Sequence, residues 1–135
     1  MPLTLLRTDP TWLLEELVER TPHTCGAVLL TTDGLASCWT GMERDTAERL
    51  AAIASGVHSL AQGVAHELQS ATPEQLAPNT AVLDLGDRAV LVCTGGEGSC
   101  LLVVVDGEAD HGAVGYAMAK LATGLGEHLA TPARA

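Results

Sequence analysis

From Asp45 to Gln69 the chain reads DTAERLAAIASGVHSLAQGVAHELQ, with apolar positions at Ala47, Leu50, Ala54, Val57, Ala61, Val64 and Leu68. Steps of three and four stack these along one side of a 3.6-residue helix, which predicts a long helix with a buried stripe. Asp45, followed three residues later by Glu48, is an acidic variant of the capping box, so the helix is expected to begin near Asp45. A second row, Ile53, Gly56, Leu60 and Gly63, runs beside the stripe. Each interior glycine costs about 1 kcal/mol relative to alanine. Two on one side predict that another backbone comes close there, either the sheet or the same helix of a second subunit.

The remaining pattern supplies two helices and five strands. Asp9 and Pro10 suit the N-cap and first position of a helix with Trp12, Leu13, Leu14, Leu17 and Val18 as its apolar side, closed by Thr21 and Pro22. Cys25 to Thr32 is an apolar run suited to a strand covered on both faces, and Asp33-Gly34 reads as a two-residue hairpin turn into a second strand, Leu35 to Thr40. Gly41 to Arg44 then leads into the long helix. Beyond it, SATPEQLAPN is a polar connector, and the strands Thr80 to Leu85 and Arg88 to Thr94 flank a tight turn at Gly86-Asp87. Ser99 to Val105 is the most apolar strand and is expected at the centre of the sheet. A last helix, Gly112 to Leu129, turns Val114, Ala117, Met118, Leu121, Leu125 and Leu129 inward, with Pro132 beyond its end. The order α-β-β-α-β-β-β-α is of the α/β (α+β) class. Two antiparallel hairpins with a long helix crossing between them predict one mixed five-stranded sheet with helices on both sides.

The 135 residues, 47% of them hydrophobic, fit one domain with a real core, here 1–135 with its core at about 10–130. Phenylalanine is absent and Trp12, Trp39 and Tyr116 are the only aromatics, so the core is expected to be Leu, Val and Ala. Small side chains bury modest area, which makes a lone subunit marginal and favours an oligomer. A formal net charge of −10, with Lys120 the single lysine, opposes nucleic acid and anionic membranes as ligands. The opening MPLTLLRTDPTW lacks the basic and apolar segments of a signal peptide, and no run approaches the ~18 apolar residues of a membrane span. A soluble cytoplasmic protein is expected.

No catalytic set assembles. Cys25, Cys38, Cys93 and Cys100 fall in strands without C-x-x-C spacing, so neither a zinc site nor any other metal site is expected. If a four-residue loop, Gly95 to Gly98, joins their strands, Cys93 and Cys100 lie opposite each other on one side of the sheet, as reduced thiols in a cytosolic protein. GGEGSC lacks the G-K-[ST] ending of a phosphate loop and precedes a strand, so it reads as a hairpin loop. His23, His58, His66, His111 and His128 are scattered, without H-E-x-x-H. Asp110 reads as the cap of the last helix, with Asp106 and Glu108 solvated beside it. No cofactor is implied. What remains is surface. Glu48, Ser55, Ser59, Gln62 and His66 form the polar side of the long helix, with Arg49 at its far edge, and together they are the expected partner-binding face.

The hairpin TTDGL at Thr31 to Leu35, the segment ERDTAERLAAIASGVHSLA at Glu43 to Ala61, the strand GSCLLVVV at Gly98 to Val105 and GAVGYAMAKL at Gly112 to Leu121 together resemble the roadblock/dynein light-chain family. Within it they are most similar to the actinobacterial conservon type, whose operons also carry a histidine-kinase-like protein and a Ras-like small GTPase. The resemblance implies a five-stranded antiparallel sheet between the long helix on one side and the terminal helices on the other. It implies homodimers in which Thr80 to Leu85 pairs with its copy and the long helices lie antiparallel. The interface would hold Ile53, Gly56, Val57, Leu60, Gly63 and Val64 of the helix with Thr80, Val82 and Asp84 of the strand. It further implies a non-enzymatic regulator or scaffold that binds a Ras-like GTPase and affects its nucleotide cycle, with the histidine-kinase-like protein as a further partner. The family marks no arginine finger, so Arg44 and Arg49 stand only as surface residues. Two other classes compete: a small-molecule sensor with a pocket between sheet and helices, and a cysteine-dependent enzyme, which requires an exposed thiol of depressed pKa.

Overall fold

Alternation along the apolar strands sorts their side chains onto two faces of one sheet, and each face is closed by helix. The computed structural model describes residues 9–69, 80–96 and 98–130. In chain order its elements are α1 (Thr11–Arg20), β1 (Thr24–Thr31), β2 (Ala36–Thr40), α2 (Arg44–Glu67), β3 (Thr80–Asp84), β4 (Arg88–Gly96), β5 (Ser99–Asp106) and α3 (His111–Ala130). One face gathers Ala27, Leu29, Leu91, Leu101, Val103 and Val105 under Leu14 and Leu17 of α1 and Val114, Met118, Ala122 and Leu125 of α3. The other gathers Val28, Leu30, Val92, Cys100 and Leu102 under Ala47, Ala51 and Ala54 of α2. The core is built of Leu, Val and Ala, as the lack of Phe requires.

The sheet order is β2-β1-β5-β4-β3 and every neighbouring pair is antiparallel, so the mixed sheet expected from the two hairpins is not formed. The hairpins join through β1 and β5, which run in opposite directions. The strands β2 and β3 run the same way but lie at opposite edges. β5 is central, as its composition predicts.

Several local expectations shift. The β1–β2 loop has three residues, Thr32 to Gly34, because the Thr31 N–H donates to the Leu35 carbonyl at 2.9 Å and Gly34 takes φ +92°. That is the turn with a left-handed glycine that three-residue hairpins use. At the other end of this hairpin Gly41 has φ +80°, and an added Cβ would meet the Cys25 carbonyl oxygen and lie 2.8 Å from Gly26 Cα. Gly86-Asp87 does form a two-residue turn, with glycine first at φ +97°. β4 runs on to Gly96, with a bulge that sets Thr94 opposite Cys100 and Cys93 opposite Leu101. Cys93 and Cys100 therefore face opposite cores, since a one-residue slip exchanges faces.

Among the helices, α1 begins at Thr11 with Pro10, not Asp9, at the N-cap; Asp9 stands one residue earlier, its Oδ1 accepting from the Thr11 N–H at 3.1 Å and hydroxyl at 2.6 Å. Trp12 is 49% exposed and not part of the apolar side, because it sits about 200° around the helix from Leu14. α2 starts one residue before Asp45: extended Glu43 is the N-cap, its carbonyl accepting from the Ala47 N–H, and no side chain caps it. Asp45 lies in the first turn, where a negative charge favours the helix dipole. In α3, Ala122 joins the predicted inward residues, and Asp110 caps the helix by accepting from Gly112 and Ala113. The connector Ser70 to Asn79, the Leu129 side chain and Pro132 lie outside the described residues.

Candidate interaction surface

The stripe of α2 is buried for only half its length. Ala47 and Ala54 are covered and Leu50 and Val57 partly so, whereas Ala61, Val64 and Leu68 are exposed, Val64 by 58% and Leu68 by 72%. At 1.5 Å per residue the 24-residue helix is about 36 Å long. Five strands spaced by about 4.8 Å, or an eight-residue strand of about 26 Å, cannot cover it. The uncovered half also carries Ile53, 54% exposed, and Leu60, 72% exposed.

Gly56 and Gly63 are exposed, and a Cβ added at either would meet nothing within 4 Å. Close packing of these glycines on the chain's own sheet, one of the two expected explanations, is therefore absent. Beside α2 lies the edge strand β3. Pairing sets Thr80 opposite Cys93, Val82 opposite Leu91 and Asp84 opposite Ala89, on the face that α1 and α3 cover, while Ala81 and Leu83 lie opposite Val92 and Val90, on the face of α2. The expected strand residues thus share the edge with the helix row but not its face. Val82 and Leu83 are both exposed, by 44% and 37%, and Leu85 by 65%. Leu83 and Leu85 are exposed apolar residues of this edge that the expected interface left out, and Leu68, expected in the buried stripe, is exposed with them; the parity of β3 counted back from the Gly86-Asp87 turn identifies Leu83.

Of the expected partner face, Glu48, Arg49, Ser59, Gln62 and His66 are exposed. Ser55 is not free: its Oγ donates to the Thr32 carbonyl at 2.6 Å and ties α2 to the β1–β2 loop. Arg44 stacks over the Trp39 ring, 5.6 Å from its centroid. Away from this surface, His23 Nδ1 lies 3.2 Å from Asp106 Oδ2, and Asp106 also accepts from the Glu108 N–H. That backbone hydrogen bond, with a smaller contribution from His23, holds the Asp106 carboxyl below the usual range.

Nucleophile chemistry finds little support. Burial pushes the Cys93 thiol up to about 12 and raises Cys38 and Cys100, which keeps all three protonated. Cys25 is the exposed thiol. Among the described residues no three His, Cys, Asp or Glu side chains gather as a metal site, and no helix is long and apolar enough to cross a membrane.

Among the described residues, then, helices cover both faces of the sheet, and an exposed apolar part of α2 lies beside the edge strand β3. Residues 10–105 match the model of the Roadblock/LC7 domain, and the chain belongs to that family. A crystal structure of a Roadblock/LC7 domain from Streptomyces avermitilis is 36% identical, with 91% of this chain and 99% of that one aligned at a TM-score of 0.81. MglB of Myxococcus xanthus shares the fold at 14% identity over 96% and 93% of the two chains, TM-score 0.76. A structure of MglB in a tetrameric arrangement does so at 19% identity over 93% and 91%, TM-score 0.77. None of the curated proteins matches in sequence.

Proposed function

We propose that the chain is a non-enzymatic regulator or scaffold that homodimerises through α2 and the β3 edge and presents the paired helices to a Ras-like small GTPase in the cytoplasm, modulating its nucleotide cycle. One observation carries this reading: from Ile53 to its C-cap α2 leaves Ile53, Leu60, Val64 and Leu68 exposed beside two glycines that no described residue approaches. A contiguous exposed apolar patch marks an interaction site, and helical glycines that cost stability without local use are accounted for by a second backbone. An antiparallel pair of α2 helices with β3 paired to its copy would cover Ile53, Gly56, Val57, Leu60, Gly63 and Val64 and satisfy the open ladder edge at Thr80, Val82 and Asp84. The assembly of MglB, which shares the fold, into a tetrameric arrangement supports self-association of this architecture.

The GTPase partner follows from the resemblance of the chain to conservon-type members, and a histidine-kinase-like protein of the same operon is the further partner implied. Exposed Glu48, Arg49, Ser59, Gln62 and His66 are the contact residues proposed. The test is molar mass by light scattering, for the chain alone and mixed with the neighbouring GTPase loaded with GDP or a GTP analogue, together with nucleotide exchange and hydrolysis rates. A dimer that binds one nucleotide state preferentially and changes either rate is expected. A strict monomer at high concentration refutes the dimer, and absence of both binding and rate change refutes the regulatory role.

A further inference from the structure

The first residue of β5, Ser99, is 7% exposed, and its buried Oγ has no hydrogen-bond partner among the described residues. A sheltered hydroxyl left unpaired is costly and uncommon in folded proteins. Ser99 lines a cavity of about 670 Å³ where the start of α1 meets the ends of β1, β2 and β5, walled also by Asp9, Thr11, Leu29, Cys38 and Trp39. That volume lies within the range of small-molecule sites.

The wall has a definite chemistry. Among the described residues Asp9 is its one charged side chain, with no lysine or arginine in the lining. Hydrogen bonds from the Thr11 hydroxyl and N–H to Oδ1 favour the ionised carboxylate. An anion entering the cavity would meet this charge, whereas a cation would pair with the exposed carboxylate at its mouth. Leu29 and Cys38, which share the face covered by α1, supply apolar surface for a short stem. The Ser99 hydroxyl is a rotor with three staggered positions and can turn towards an acceptor or donor that enters.

We propose that this cavity binds a small primary amine, its ammonium on Asp9, its stem against Leu29 and Cys38, and a hydroxyl or carbonyl group on Ser99 Oγ. The site is built by α1 and the strand ends, away from the uncovered half of α2, and depends neither on dimerisation nor on a GTPase.

Three two-carbon probes of nearly equal size separate charge from shape: ethanolamine, ethylene glycol and glycolate, titrated into the ¹⁵N-labelled chain. Ethanolamine is expected to move the Thr11, Cys38 and Ser99 amide signals saturably, ethylene glycol to do so at least about tenfold more weakly, the equivalent of about 1.4 kcal/mol, and glycolate not at all. D9N should bring ethanolamine down to the level of ethylene glycol, and S99A should weaken ethanolamine and ethylene glycol while keeping their order. Rising salt should weaken ethanolamine alone in the unmodified chain, a readout that needs no variant. Glycolate binding as well as ethanolamine, or the lack of any saturable change at these amides with all three probes, would overturn the assignment.

Discussion

Replacing Gly56 and Gly63 by alanine separates the subunit from its assembly, because the two respond with opposite sign. Within one chain an added Cβ at either position meets no atom of the described residues within 4 Å. Each substitution should therefore contribute the intrinsic helical preference of alanine, about 1 kcal/mol, and the pair about 2 kcal/mol. For a chain of this size that raises Tm of the isolated subunit by about 4 °C per kcal/mol. Where two α2 helices meet through these glycines, four new methyl groups enter the contact. Overpacking of this kind costs typically 1–3 kcal/mol, and a cost of about 2 kcal/mol weakens the dimer about thirtyfold. Sedimentation equilibrium gives the dimer constant, and thermal unfolding at concentrations below it gives the subunit. Gly115→Ala on α3, also without an atom within 4 Å, is the control: it should stabilise the helix and leave the molar mass unchanged. If the Gly56/Gly63 variant dimerises as well as or better than the parent, the glycines face water in the assembly and the interface proposed here is wrong.

Leu60→Glu and Val64→Glu place charge on exposed apolar positions, so each should shift the molar mass to monomer while changing subunit stability by no more than about 0.5 kcal/mol; loss of folding instead of loss of assembly would contradict the surface assignment. Alkylation with iodoacetamide near neutral pH should label Cys25 and spare Cys38, Cys93 and Cys100 until denaturant is added, and rapid labelling of Cys93 would contradict its burial. Asp9 and Asp106 have pKa values lowered by hydrogen bonds from Thr11 and Glu108, so their contribution is present above the unfolded carboxylate value and lost as pH falls through the folded one. The midpoint of denaturation should therefore drop as pH falls below about 4, and drop less steeply in the variant carrying both D9N and D106N.

Whatever depended on a short window was legible from the residues. Steps of three and four at Ala47, Leu50 and Ala54 predicted a helix that forms, the run SCLLVVV predicted the central strand, and Asp110 was recognisable as a cap because its carboxylate needs only the next turn of backbone. The site was legible in part. The glycine row on α2 stood out because glycine is costly there, but Leu83 did not, since its face is set by pairing with Val90, and Ser55 looked free until Thr32 was folded against it.

By itself, then, the sequence determined the order and kind of the elements and the small-residue core, because periodicity and turn chemistry act between residues a few positions apart. Tertiary structure alone decided that the sheet is wholly antiparallel, that Cys93 and Cys100 face opposite cores, and that the stripe of α2 outruns its cover beyond Val57. Those depend on which distant strands meet, on a single bulge near Thr94 and on a helix longer than the sheet beneath it, and no local pattern records them.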